Sequence, residues 1–386
     1  MPYFYYLQHY FDPDMDHHAL KPRVSSGDEA DRYNLGYVQN VISGQVLAEV
    51  MPLTEIGNTS LTTLNPRFFL SDPVLPSGPN TRIDPEHPQY LLADANGYVF
   101  YHEGLITVKK LLNVRKDVDF HTGNIFFVGD MAVHGDVRAG FEIQANRILI
   151  DGMVEGGVVR SGGDLALRGG ARGGASDRCL LSAGGNLRLL FAEKAELRAG
   201  YAIHIERTCQ HATVFAGTSL VVKDRLQGGS VHARHTIYVA NQLGTPTAAP
   251  TSIFLGYNAP RIRQLEKLDV RLDELATRVA HYTAVAGHLP PDATPTTRKL
   301  AMAKQKLALF QQRREQIWQD LVQDERQAGA ARLVVPGTVH PGVVVSIGRA
   351  FLTVDTTYRN VVFQLEGDEV AVNPYTPRSR QHVRGL

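Results

Sequence analysis

The stretch Val159-Arg-Ser-Gly-Gly-Asp-Leu165-Ala-Leu167 sets the pattern on which this chain is built. An apolar residue is followed two positions later by Ala or Ser, usually then by Gly, and by apolar residues six and usually eight positions after the start. The further copies are Val137–Ile143, Leu181–Leu189, Leu197–Ile205, Val214–Val222 and Val231–Val239, and a looser copy runs from Ile125 to Val133.

The copies start 12 to 22 residues apart, which is too short for a strand–helix–strand unit. Apolar residues two apart point to one face of a strand, and glycine allows a corner where a side chain would clash. One coil cannot bury its own apolar row, so the coils must stack on their neighbours. The pattern therefore predicts a β-solenoid whose third-position residues fill a tight inward corner: Ala139, Ser161, Ala183, Ala199, Ala216 and Ala233.

The composition describes an ordinary protein of several domains. The chain has 386 residues, 43% of them hydrophobic, and a formal charge of +1, so nothing global indicates nucleic-acid binding. No apolar run approaches the roughly 20 residues of a membrane span, and the N-terminus lacks the pattern of a secretory signal. We therefore expect a cytoplasmic protein in which Cys179 and Cys209 are reduced and buried.

The N-terminal part divides into two segments. Residues 1–35 are predicted to form an arm that can be flexible. We also considered a metal site in this arm, because it is rich in imidazole and carboxylate groups, but no spacing matches a known site: His9, Asp12, Asp14, Asp16, His17 and His18. Residues 36–112 contain short β-like runs around a Pro-rich segment and are predicted to form a small β-rich domain. We expect it to cover the first end of the solenoid, which spans residues 113–257.

From residue 258 the period of the apolar residues changes from two to 3.5. Two runs follow a three-four spacing, namely Leu265, Leu268, Leu272, Leu275, Val279, Tyr282 and Ala286, then Leu300, Ala303, Leu307, Phe310, Arg314, Ile317 and Leu321. A segment that breaks helices, Gly287–Pro295, separates the two runs. Residues 258–328 are therefore predicted to be an antiparallel coiled-coil hairpin. Residues 329–373 return to the β pattern as a continuation and cap, with Val339–Ile347 as another copy, and residues 374–386 are predicted to be a disordered tail.

Two residues of the hairpin are candidate partner contacts. Arg314 lies on an otherwise apolar seam, where it can set the register of the helices, mark a contact, or lay its stem on the seam and lift its charge to water. Trp318, the sole tryptophan, lies beside the seam. Local packing is the favoured interpretation of Trp318, and exposure of its indole would favour a contact.

The solenoid offers one candidate binding stripe. Arg138, Arg160 and Arg198 follow the start of their copies by one residue, so the template places them in one outward column with Phe215 and His232. Three stacked arginines can bind a polyanion or an acidic partner. The alternative is a solvated face neutralised by nearby Glu and Asp residues.

The chain offers no convincing catalytic or metal centre. Glu142 and Asp164 are only an incidental carboxylate couple, and the glycine runs recur with the coils rather than before helices. Two of four late histidines can approach each other, but no carboxylate is spaced to orient them: His204, His211, His232 and His235. We expect no cofactor, no bound metal and no enzymatic activity.

Several motifs resemble the flagellar assembly protein A (FapA) family, long catalogued as a domain of unknown function. They are Asp117-Val-Asp-Phe-His-Thr-Gly-Asn-Ile125, Gly129–Gly140, Gly152–Gly157, Leu255-Gly256 at the entry to the helices, and Val339-His-Pro-Gly342 with Ile347-Gly348. The resemblance covers residues 40–372. It implies a right-handed parallel β-helix interrupted by a long coiled-coil hairpin, in a bacterial cytoplasmic protein that acts in flagellar assembly or its regulation through protein contacts. The segment around Gly57-Asn-Thr-Ser departs from the usual pattern.

The leading hypothesis is a non-enzymatic cytoplasmic scaffold or regulatory protein of FapA type. Its partners would be flagellar or signalling proteins or a second copy of the chain, without nucleic acid or membrane insertion. The first alternative is a self-polymerising, bactofilin-like cytoskeletal β-helix, which requires uncapped ends. The second alternative is a polysaccharide-acting β-helix enzyme, disfavoured by the missing carboxylate cluster and secretory signal.

Overall fold

The computed structural model describes residues 3–15, 23–24, 30–31, 33–56, 64–174, 178–247, 250–286, 294–326 and 328–376. The chain divides into two compact units, residues 1–185 and residues 186–386. Among the described residues, no helix is long and apolar enough to cross a membrane.

The first unit begins with small antiparallel sheets. A five-stranded sheet has the order β6-β1-β5-β8-β7, a three-stranded sheet has the order β10-β9-β4, and β2 pairs with β3. The strands are β1 (Tyr5–His9), β2 (Arg23–Val24), β3 (Ala30–Asp31), β4 (Asn40–Val41), β5 (Val46–Pro52), β6 (Phe69–Leu70), β7 (Thr81–Ile83), β8 (Tyr90–Ala93), β9 (Gly97–His102) and β10 (Leu105–Lys109), with a short 3-10 helix at Pro66–Phe68.

Strand β1 corrects the prediction of a flexible arm. Tyr5–His9 pairs along its whole length with β5 and on its other side with β6, so it lies inside the sheet. Leu7 is 2% exposed and packs in one core with Leu47, Leu91 and Ile106. Tyr6 of this strand lies in the same core, and Tyr5 packs against it. Asp16, His17 and His18 of the considered metal site lie outside the described residues.

The remainder of the first unit is a parallel solenoid. Its strands are β11 (Leu111–Val114), β12 (Ile125–Phe126), β13 (Asp130–Val133), β14 (Glu142–Ala145), β15 (Ile148–Ile150), β16 (Val154–Glu155), β17 (Val158–Ser161), β18 (Leu165–Leu167), β19 (Ala171–Arg172) and β20 (Cys179–Ala183). Strand β14 pairs with β17, and β17 with β20, in parallel. Buried columns such as Ile143, Val159 and Leu181 are fully enclosed.

The predicted copy Val137–Ile143 is in the wrong register. Ile143, expected at the seventh position of a copy, pairs with Val159, which starts one. Val137 instead bridges to Val154, in a different wall of the solenoid. The third-position residue of this coil is Ala145, opposite Ser161, rather than Ala139. The looser copy at Ile125 has the correct register, because Ile125 pairs with Ile143.

The side-chain amide of Asn40 joins the N-terminal sheets to the first coils. The Asn40 side chain donates from Nδ2 to the carbonyl oxygen of Phe126 at 2.6 Å and accepts the Val128 amide at 3.1 Å. Asn40 thereby pairs with the backbone as a neighbouring strand would, and satisfies a donor and an acceptor at the solenoid's start.

The second unit continues with parallel strands and contains both long helices. Its strands are β21 (Leu187–Leu189), β22 (Ala192–Glu193), β23 (Ala195–Ala199), β24 (Ala202–Ile205), β25 (Thr208–Ala216), β26 (Ser219–Val222), β27 (Arg225–Ala233), β28 (Thr236–Val239), β29 (Gln242–Leu243), β30 (Thr251–Leu255), β31 (Arg332–Val339), β32 (Val343–Ile347), β33 (Ala350–Thr353), β34 (Tyr358–Glu366) and β35 (Glu369–Pro374). The helices α1 (Ala259–Ala286) and α2 (Thr294–Arg326) stand between β30 and β31, followed by a 3-10 turn at Ala328–Ala330.

The solenoid resumes after the helices, as the β pattern predicted. Strand β31 pairs in parallel with β28 and β29, and β32 pairs in parallel with β30. Antiparallel strands β33, β34 and β35 then close the C-terminal end. The copy predicted at Val339–Ile347 is misaligned, because Val345 pairs with Ile253, which occupies the starting column of Val231. Residues 377–386 of the predicted tail lie outside the described residues.

Candidate functional site

The helical hairpin is joined by the seam that the sequence predicted. Leu265, Leu268 and Ile317 are its most buried members within one cluster, and Phe310 and Leu321 pack against it. The other seam positions described on α2 are partly buried, whereas most intervening residues are exposed. The apolar stripe of each helix therefore packs against the other helix of the hairpin.

Arg314 forms an ion pair across the hairpin, and this contact favours the register-setting interpretation. Its Nε donates to Oδ1 of Asp269 at 2.6 Å, across the hairpin. A second pair, Arg261 with Asp320 at 3.3 Å, lies nearer the helix ends. Both pairs are part-exposed, so each contributes about 0.2–1 kcal/mol. Together they favour one alignment of the two helices.

Trp318 is exposed although its neighbour Ile317 is buried. Its exposed fraction is 47%, and it lies eight residues before Arg326, where α2 ends. That separation corresponds to about 12 Å along the helix. A large amphipathic ring that leaves half its area in water, beside a rigid seam, has the properties of a contact residue.

Arg138 is held by carboxylates of its own unit. It contacts Oδ2 of Asp117 at 2.7 Å, Oδ2 of Asp136 at 3.1 Å and Oε2 of Glu155 at 3.0 Å. The pKa of Asp117 is lowered, first by the backbone N–H of Asp136 and then by Arg138. Any partner that takes Arg138 must displace these carboxylates.

The other two stripe arginines are also ion-paired. Arg160 pairs with Glu142, and Arg198 pairs with Glu196 through Nε at 2.8 Å. Arg160 stands opposite Gln144 and Ser182 in the strand register, so Arg138 does not precede it in one column. The predicted column of Arg138 and Arg160 is wrong because it rests on the misaligned copy. Whether these arginines bind a partner stays a prediction.

Arg198, Phe215 and His232 do share a column, and it continues into a residue that the template missed. Phe254 stands next to His232 in the register. The three rings form a stack, with Phe215 and His232 centroids 4.9 Å apart and His232 and Phe254 centroids 4.5 Å apart. Phe254 follows a longer loop, so the spacing of the copies did not reveal it.

The strand register places two of the late histidines, His204 and His232, in different columns. His232 is stacked between two phenylalanine rings, and His204 stands beside Arg188 and Val221. Burial, and then the charge of Arg188, lowers the pKa of His204. Among the described residues, no group of three His, Cys, Asp or Glu side chains is arranged to hold a metal ion.

The aspartate motif that carries the family resemblance forms a ladder at one corner of the first unit. Oδ1 of Asp117 accepts the amide of Asp136 at 2.9 Å, and Oδ1 of Asp136 accepts the amide of Met153 at 2.8 Å. A Cβ at Gly135 or Gly152 would overlap these carboxylates. The motif therefore stabilises the stacking of the coils.

A model of the flagellar assembly protein A β-solenoid domain matches residues 110–370. The chain belongs to the FapA family. The matched range begins just before β11 and ends within the antiparallel cap, and the helical hairpin lies between these limits. No curated protein and no solved structure matches the chain. The five-stranded N-terminal sheet lies before the matched FapA range.

Proposed function

We propose that this FapA-type chain is a non-enzymatic cytoplasmic scaffold or regulatory protein that acts through protein contacts. The helical hairpin is its recognition arm. The observation that carries this proposal is Trp318, whose indole is 47% exposed beside a seam that is already filled by the two helices. Because the seam is filled by the two helices of the hairpin, the indole of Trp318 is available for contact with another protein.

Flagellar assembly or its regulation is the setting that the family description supports. The alternative of end-to-end polymerisation through the solenoid is disfavoured by two features. Strands β33–β35 close the C-terminal end, and the Asn40 amide pairs with the first coils. These contacts occupy backbone groups that a second solenoid would need for pairing.

A pull-down tests the recognition arm. Host lysate is passed over the full chain, over a form in which residues 261–327 are replaced by a short Gly/Ser loop, and over Trp318→Ala. We expect flagellar or signalling proteins on the full chain, loss with the loop form, and strong reduction with Trp318→Ala. Gln319→Ala, on the neighbouring exposed position, is the matched control and should retain the proteins.

Equal retention of the same proteins by the full chain and the loop form would contradict the proposal. Retention of a defined protein by the loop form would place the recognition site on the β-strands.

A further inference from the structure

One exposed strip of α2 combines cations with apolar residues. Lys299, Met302, Lys306, Leu309 and Arg313 follow one another at alternating spacings of three and four residues. All five are exposed, Met302 and Leu309 by 60% and 61%. The sequence of α2 has no acidic residue before Glu315. We call these five residues the basic strip.

A strip of opposite charge lies on α1. Glu266, Val270, Asp273 and Thr277 alternate at spacings of four and three residues, and all four are exposed. Val270, 60% exposed, lines a shallow groove on the surface of α1 together with Asp273, Glu274, Thr277 and Arg278. We call these four residues the acidic strip. Its length is about 17 Å, against about 21 Å for the basic strip.

One hairpin cannot join its own two strips. On α1, Leu265 and Leu268 occupy the core positions a and d of the heptad, and the acidic strip occupies positions b and f. On α2, Leu300 and Ala303 occupy positions a and d, and the basic strip occupies positions c and g. In an antiparallel pair the g positions of both helices line one edge and the e positions line the other. Positions b and f lie towards the e edge, so the two strips face away from each other.

The cations of α1 reinforce this division. Lys267, Arg271 and Arg278 occupy positions c and g of α1, on the same edge of the hairpin as the basic strip, with Glu274 among them. Arg271 and Arg278 are exposed. The g edge of the hairpin is thus rich in cations, and the adjoining outer face of α1 carries the carboxylates of the acidic strip around an exposed valine, with Arg278 at the margin of the groove.

We propose that the basic strip of one copy docks on the acidic strip of a second copy. Met302 and Leu309 would enter the groove beside Val270, and the strip's cations would pair with Glu266 and Asp273. Only another helix repeats charged and apolar residues at the spacings that both strips share. The contact joins different surfaces of the two copies, so it produces a ring or an open chain. This proposal does not depend on the heterologous partner proposed above.

Sedimentation velocity on the purified full chain tests the proposal. At about 0.05 M NaCl we expect the mass-average sedimentation coefficient to rise with protein concentration, and at about 0.5 M NaCl we expect it to return to the monomer value, because salt screens exposed charge pairs. A base-reversed form carries Lys299→Glu, Lys306→Glu and Arg313→Glu. An acid-reversed form carries Glu266→Lys and Asp273→Lys. Each form alone should remain monomeric.

An equimolar mixture of the two reversed forms should associate again, since each strip then meets one of opposite charge. Single substitutions supply matched controls: Lys306→Glu should weaken association at least tenfold, whereas Lys304→Glu, exposed on the other side of α2, should leave it unchanged. Circular dichroism and the thermal midpoint check the fold of each form. A monomeric wild-type chain at low salt, or a mixture that stays monomeric while both forms are folded, would overturn the proposal. Either result leaves the pull-down of the recognition arm unaffected.

Discussion

The imidazole of His232 lies on the ring of Phe254, with their centroids 4.5 Å apart and their planes within 9°. On its other face His232 stacks on Phe215, which is only 7% exposed. Parallel strand pairing places these three residues at the same position of successive coils. The stack therefore joins three coils through side chains as well as through backbone hydrogen bonds.

Removing the central ring should weaken the second unit. Aromatic pairs contribute about 0.5–1.5 kcal/mol each beyond the burial of their area. We expect His232→Ala to lower the free energy of unfolding by about 1–3 kcal/mol, and His232→Phe to retain most of it. Urea unfolding followed by circular dichroism measures both. Equal losses in the two variants would show that the stack has no stabilising role.

Gly217 tests the close approach of neighbouring coils. A Cβ at this position would overlap the carbonyl oxygen of Gly200 in the coil before it. Gly217→Ala should therefore lower the thermal midpoint by several degrees, since the backbone must move to admit the methyl group. Gly329→Ala is the matched control, because a Cβ there meets no atom within 4 Å. A control that melts as early as Gly217→Ala would refute the steric explanation.

Arg314 and Asp269 should be energetically coupled. Their side chains are 41% and 43% exposed, so solvent screens the pair. A double-mutant cycle of Arg314→Ala and Asp269→Ala should give a coupling free energy of about 0.2–1 kcal/mol. The measurement is thermal or urea unfolding of the hairpin, reported by the fluorescence of Trp318. If the effects of the two substitutions are additive, the pair does not set the register of the helices.

His9 should make the N-terminal sheet sensitive to acid. Its ring is surrounded by Phe11, Phe68 and Tyr101, and burial lowers its pKa from 6.5 to about 4. Between these pH values the unfolded chain binds more protons at His9 than the folded chain does. The stability contributed by a neutral His9 is full above pH 6.5 and falls as the pH is lowered towards 4.

Differential scanning calorimetry of the full chain checks this prediction. The wild-type midpoint should fall between pH 6.5 and pH 4 more steeply than that of His9→Phe, which keeps a ring and loses the ionisable group. Parallel curves for wild type and His9→Phe would contradict the role of His9.

The sequence was most informative where one period was repeated without interruption. The seam from Leu265 to Leu321 and the coils from Leu181 to Val239 were predicted correctly, because burial repeats with the helix period or with strand alternation. The predicted register was wrong for the copies that start at Val137 and Val339. Several walls of a solenoid coil bear an apolar residue followed by small ones, so a short copy can be matched to the wrong wall.

The candidate contacts were harder to predict than the fold. The column of Arg198, Phe215 and His232 could be read from the repeat. Arg138 and Arg160 pair with carboxylates of neighbouring coils, which the sequence does not place, whereas Arg198 pairs with Glu196 of its own strand. Strand β1 was missed because its partner β5 lies about 40 residues away in sequence and supplies the pairing that a local pattern does not contain.

The hairpin is inserted between two strands of the solenoid, so the length of its helices can change independently of the coils. Strands β30 and β31 flank the helices, and each is paired with earlier strands of the solenoid rather than with the helices alone. Adding seven residues to each of α1 and α2 would preserve the seam and extend the arm by about 10 Å. The length of the arm can thus change by one heptad at a time, while every coil of the solenoid keeps its neighbours.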